Sequence, residues 1–260
     1  MAAVFDSKVF NPEVFGKYVE TAPRVKQNAL LKAGVLRVRN DLKNMLVDQT
    51  TVLSILAGIF GVTTDGFDTK HTLDITNETT PVVGADTLNN AIQQASGANK
   101  DIFTVAIMHS KVATNLENLQ ILKYWVETDA NGVQRPVSLA SWNGRTVLVD
   151  DDVPVDTTGN DPVYTTYLLG QGAFDYCDCG AKVASEVYRD PTTLGGQDML
   201  ITRQRKLFAP RGFSFVTTNI MSPTDAQLAD AANWGVVTDT AGTGYYDSRA
   251  IPIAQIKSLG

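Results

Sequence analysis

Histidine and cysteine are both scarce in this chain of 260 residues: His71 and His109 are the only histidines, and Cys177 and Cys179 the only cysteines. Two cysteines one residue apart on an extended segment cannot easily bridge one another, and no second Cys or His pair completes a zinc site. They read as free thiols of a reducing cytoplasm. Basic charge is also short. With 22 Lys and Arg against 28 Asp and Glu, the formal net charge is -6, which argues against a protein whose main work is gripping phosphates. No apolar run has the length that spans a bilayer, and Met1-Ala2-Ala3-Val4-Phe5-Asp6 lacks the basic start and long apolar run of a signal peptide. The expectation is a chain made and kept in the cytosol, with no internal repeat and no low-complexity linker.

The motifs of catalysis are missing too. No Gly-x-Ser-x-Gly elbow occurs, and His109-Ser110 are adjacent in sequence, which rarely gives the facing geometry a nucleophile and base require. Ser110 reads as a helix N-cap and His109 as a satisfied polar residue. Gly170-Gln171-Gly172-Ala173 lacks the third glycine, following helix and distal acid of a dinucleotide fingerprint and reads as a turn into another strand. Gly195-Gly196 lacks the Gly-Lys-Ser/Thr ending of a phosphate loop. Asp150-Asp151-Asp152 has neither the glycine nor the glutamate of a calcium loop and reads as a solvated turn before Pro154. No metal or cofactor is expected. A divalent-metal-dependent hydrolase built on Asp150, Asp151 and His109 is the remote alternative. The one dense basic run, Arg203, Gln204, Arg205, Lys206 and then Arg211, reads as a strand face balanced by acidic neighbours.

What the chain does have is apolar content, 43% of residues, enough to bury a core in one large domain or two small ones. Asn11-Pro12-Glu13 opens a short helix to about Glu20, a second is expected from Arg24 to Ala33, and Phe5, Phe10, Phe15 and Tyr18 crowd this leading segment with aromatics. Such a segment either packs on its own domain or serves as an arm on a neighbouring molecule. Leu42, Met45, Leu46, Val52, Leu53, Leu56 and Phe60 recur at helical spacing up to Gly61 and predict one long helix. Gly58 inside it costs about 1 kcal/mol relative to alanine and points to a close-packed backbone. Residues 62–85 read as loop or short strand.

Further along, a helix is expected over Asp86–Ala95 with Gly97 as its stop, a buried strand over Ile102–Met108, and a helix capped by Ser110 with Val112, Leu116 and Leu119 on one face. Strands are expected at Arg145–Val149, Tyr164–Leu169, Lys182–Val187, Met199–Phe208 and Phe213–Val216. Ser222-Pro223-Thr224-Asp225 opens a last helix to about Trp234, and Ile251–Ile256 forms a final strand. Helices and strands without a regular alternation predict an α+β class.

Taken in order, several phrases resemble one family, the major capsid proteins of tailed bacteriophages. They are Asn11-Pro12-Glu13-Val14-Phe15, Leu53 to Phe60, Ala106-Ile107-Met108-His109-Ser110, Val147-Leu148-Val149-Asp150-Asp151 and Tyr164 to Gly170. Glu186-Val187-Tyr188-Arg189-Asp190, Pro210-Arg211-Gly212, Ala231-Ala232-Asn233-Trp234 and Ile251-Pro252-Ile253-Ala254 complete the set. The resemblance covers nearly the whole chain and implies the tailed-phage capsid fold of Hong Kong 97 type. Residues 1–41 would be an N-terminal arm and the start of an extended-loop region, 42–110 a peripheral domain with the spine helix, 111–180 mainly an axial domain, and 181–260 a return to the peripheral domain. The chain departs from its relatives at Arg37-Val38-Arg39-Asn40-Asp41, which runs into the spine helix without their long hairpin loop.

The function implied is structural and not enzymatic. Copies would form the hexamers and pentamers of an icosahedral head around double-stranded DNA, without sequence-specific binding or membrane contact. Phe5, Phe10, Phe15 and Tyr18 become subunit-interface candidates. Scaffolding, portal and decoration proteins are the further partners, and the location is the virion, after synthesis in the host cytoplasm. An encapsulin-like compartment shell is the alternative within the same fold.

Overall fold

A computed structural model describes residues 3–5, 50–128, 134–192, 196–203, 205–217, 220, 222–238 and 244–260. Strand β1 (Ala3–Phe5) comes first. Helix α1 (Thr50–Ile59) then bends by 109° into a second helical piece, whose regular part is α2 (Phe67–Lys70), and β2 (Thr72–Asp74) follows. The chain continues through α3 (Thr87–Ser96), β3 (Phe103–Met108) and α4 (Ser110–Asn118). Next come β4 (Lys123–Thr128), β5 (Gln134–Trp142), β6 (Arg145–Val149), β7 (Val155–Asp156), β8 (Val163–Gly170) and β9 (Phe174–Asp178). The last third holds β10 (Ser185–Asp190), β11 (Gln197–Thr202), β12 (Lys206–Pro210), β13 (Phe213–Phe215), α5 (Asp225–Ala229), β14 (Trp234–Val236) and β15 (Ile253–Ser258).

The main sheet runs β2-β15-β8-β3-β6-β5-β4, with β7 beside β8. Pairing is antiparallel except for β15 with β2 and β3 with β6. The parallel β3–β6 pair is reached by crossing through α4, the connection that parallel strands require. Both faces are covered over the middle strands. On one face α1 and α2 bring Leu53, Ile55, Leu56, Ile59 and Phe67 against Ile107, Tyr167 and Ile253. On the other, α3 and α4 bring Leu88, Ile92, Val112 and Leu116 against Ala106, Met108, Leu168, Ala254 and Ile256. Alternation along β8 and β15 divides their side chains between the two cores. Strand β3 follows the same rule after a bulge: its register against β8 shifts between Phe103 and Val105, so Phe103 joins Ala106 and Met108 on one face.

Several expectations hold. The long helix is described from Thr50 and ends as anticipated, with Gly61 tight against Ala231. Gly58 packs against a backbone, for a Cβ there would lie 2.1 Å from the Leu228 carbonyl oxygen. Gly97 closes α3 with φ 63°, a conformation glycine adopts without strain. The expected helices at 12–20 and 24–33, and residues 42–49 of the long helix, lie outside the described residues.

Others need correction. The cap of α4 is His109, whose Nδ1 accepts the Lys111 N–H at 3.1 Å, while Ser110 is the first helical residue. Leu119 is 53% exposed and does not extend the apolar face. The last helix starts at Thr224, not Ser222, because Thr224 and Gln227 form a reciprocal capping box. It stops at Ala229, since Asp230 turns extended and caps the N–H of Ala232. The helix-end carbonyls of Gln227 and Leu228 are then taken by Asn233 Nδ2 at 2.8 Å and Trp234 Nε1 at 2.7 Å. The single strand expected over Met199–Phe208 is two, β11 and β12, which serve different sheets. The expected strand Lys182–Val187 is shifted to Ser185–Asp190, and residues 62–85 contain the short helix α2.

Candidate assembly surfaces

The apolar side chains that the fold leaves exposed mark its candidate surfaces. Val187 and Tyr188 on β10 are 70% and 52% exposed, and Leu148 and Val149 on β6 are about half exposed. Single exposed apolar residues need no account, but neighbouring ones on regular structure mark interaction sites. β10 and β11 form a ribbon of two strands, with Val187 opposite Leu200 and Tyr188 opposite Met199. Reading the sequence segment by segment missed this surface. Its signal was Val187 and Tyr188 side by side in a short strand, Pro191 and the glycines Gly195-Gly196, and then the apolar Met199-Leu200-Ile201, the pattern of a hairpin.

A smaller sheet orders β1-β12-β9. Phe5 lies in β1 opposite Lys206, while Phe10, Phe15 and Tyr18 lie outside the described residues. Cys177 and Cys179 stand exposed at β9 and form no disulfide. The basic run is partnered within the chain: Arg203 donates to Glu186 at 2.7 Å, Lys206 sits 5.9 Å from the Tyr176 ring centre, and Arg211 donates to the Tyr246 hydroxyl at 3.2 Å.

The turn at Asp150–Asp152 and the start of α4 do meet. Asp151 accepts the Ser110 N–H at 3.0 Å and lies 3.7 Å from His109 Nε2. Hydrogen bonds from Ser110, with a smaller contribution from the His109 ring, hold its carboxyl below the ordinary range. Because His109 Nδ1 accepts a backbone N–H, the neutral ring carries its proton on Nε2, towards Asp151. Neither nitrogen then offers a lone pair to a substrate, and the group caps a helix. No cluster of three metal-ligating side chains occurs among the described residues. An open cleft of about 400 Å³ is lined by Asp65, Lys70, Gln94, Tyr245, Asp247 and Arg249. Lys70 pairs with Asp65 at 3.1 Å, and Asp247 caps the Arg249 N–H at 3.0 Å.

His71 is a buried titratable group. Its Nδ1 lies 2.7 Å from the Ile253 carbonyl and its ring stacks on Phe67 at 4.4 Å, while Nε2 has no hydrogen-bond partner among the described residues. Burial pushes its pKa down, against the opposing pull of the Ile253 and Ser248 carbonyls.

No protein-family model matches the chain. The major capsid protein of Bacillus phage SPP1 is 33% identical over 213 residues, which are 80% of this chain and 60% of that protein. The chain thus spans 60% of the length of this curated relative. Among solved structures, the capsid of Ralstonia phage GP4 matches with a TM-score of 0.50 and 12% identity, over 99% of this chain and 73% of that one. An encapsulin complex from Synechococcus elongatus, with a TM-score of 0.41 and 9% identity over 100% of this chain and 74% of that one, is too distant to weigh. The chain is thus similar in sequence to a phage major capsid protein and shares the fold of a phage capsid, of mixed α+β class.

Proposed function

We propose that the chain is a shell subunit whose work is self-association into the hexamers and pentamers of an icosahedral phage head enclosing double-stranded DNA. The observation that carries this reading is the kinship with a phage major capsid protein along most of the chain. Exposed apolar residues on regular strands support it, since closed rings join one patch of each copy to a different patch of the next. The net charge of -6 fits a container, because strong phosphate binding would hold the genome to the wall. Catalysis is not part of the reading, given that His109 and Asp151 are committed to capping α4.

On this reading residues 1–41 are an arm, with Phe5, Phe10, Phe15 and Tyr18 as contacts to a neighbouring copy. Residues 42–110 and 181–260 belong to the peripheral domain and 111–180 mainly to the axial domain. Scaffolding, portal and decoration proteins would meet the assembled shell in the host cytoplasm, and the product would be a virion.

The test is expression of the full chain followed by sedimentation and negative-stain imaging, with and without residues 1–20. The full chain should form rings or cages, and the truncated one should keep its circular dichroism while losing assembly. A full chain that stays a monomer at high concentration would overturn the proposal, and unfolding of the truncated subunit would overturn the role of the arm. Particles from an infected host should contain DNA; protein cargo in its place would favour a compartment shell.

A further inference from the structure

The ribbon of β10 and β11 is a two-stranded sheet that the described chain leaves open on the β10 side. Every residue from 185 to 189 is exposed, and no strand runs along the outer edge of β10 among the described residues. Two-stranded ribbons are marginal in water, and a bare edge is a template for a further strand. The charges near it are engaged within the ribbon, Glu186 with Arg203 at 2.7 Å and Arg189 with Asp198 at 3.9 Å. An incoming strand therefore meets paired charges around Val187 and Tyr188, and a like charge set opposite one of them would compete with its pair.

We propose that the outer edge of β10 pairs antiparallel with β10 of a second copy about a two-fold axis, joining two ribbons into a four-stranded sheet across a subunit seam. The inference rests on the shell reading for its occupant and on the charge pattern for its register. A two-fold axis that sets two antiparallel strands side by side runs normal to the sheet and preserves its faces. Facing residues then come from the same face of the strand, and the pairing centres on a residue.

Centring on Tyr188 opposes Glu186 to Asp190 of the second copy, and centring on Glu186 or Arg189 opposes each to itself. Like charges directly opposite are unfavourable. Centring on Ser185 or Asp190 pairs too little of the strand. Centring on Val187 sets Val187 against itself, Glu186 against Tyr188 and Ser185 against Arg189, with no like pair and with a phenol facing a carboxylate. The geometry points to this register.

The test uses the full chain carrying Cys177→Ser and Cys179→Ser, with one cysteine added by Ser185→Cys, Val187→Cys or Arg189→Cys. Purified material is oxidised with copper–phenanthroline, dissolved oxygen accepting the electrons. Val187→Cys should give disulfide dimers in several-fold higher yield than the other two, since only the residue on the axis faces its own copy at a Cβ spacing of about 5 Å. Particles that assemble without this preference overturn the pairing and leave the shell reading standing. Dimers cross-linked at 187 that build no particles uphold the pairing and overturn the shell reading, and uncross-linked monomers overturn both. Val187→Glu, at an exposed site, should keep its circular dichroism and lose particle yield; full yield would overturn the pairing.

Discussion

Gly58 sits where α1 comes closest to the end of α5. A β-carbon there would lie 2.1 Å from the Leu228 carbonyl oxygen and 2.7 Å from Trp234 Nε1, which donates to that same carbonyl. Alanine would gain about 1 kcal/mol of helix propensity, against overpacking of about 1–3 kcal/mol and a disturbed buried hydrogen bond worth about 1 kcal/mol. Gly58→Ala should therefore destabilise the subunit by about 2 kcal/mol, read as a lower urea midpoint; a raised midpoint would show that propensity wins. This site was half legible in sequence. A glycine inside a strong helical pattern announced a close approach, but its partner is some 170 positions away and belongs to a turn whose residues carry no matching signal.

At the scale of elements, caps and breaks decided what could be read. The buried run Phe103–Met108 and the helix before Gly97 were plain, because burial on both faces or a strong period leaves few alternatives, and the half-exposed Arg145–Val149 was plain from its β-branched run between turn residues. The β4–β5 hairpin was not, since Lys123 to Trp142 mixes charged, aromatic and proline residues at a sheet edge. No glycine or proline interrupts Met199 to Phe208, so nothing local shows that one half pairs with β10 and the other with β9. Ser110 is the better cap by preference, yet the extended backbone of His109, φ -69° and ψ 150°, puts the histidine in that place. His109→Ala should cost about 1 kcal/mol in thermal unfolding through the loss of that cap. Unchanged stability would mean that Asp151 alone holds the start of α4.

The whole molecule carries a pH dependence set by His71. Burial lowers its folded-state pKa below the ordinary 6.5, so the folded chain prefers the neutral ring. Stability tied to it is complete above about pH 6.5 and is lost as pH falls through the lowered folded value. Between those values the unfolding free energy should fall with a slope approaching 1.4 kcal/mol per pH unit from this residue. His71→Phe should flatten that part of the profile; a slope that survives the substitution would assign it to carboxylates elsewhere.

Strands β3, β8 and β15 give alternate side chains to both cores. Melting on either side would strip those strands of half their packing, so neither side has an independent route to disorder. The described chain should thus yield as one unit, and a shell tiled from such units, as proposed, would give way at its seams before its members come apart.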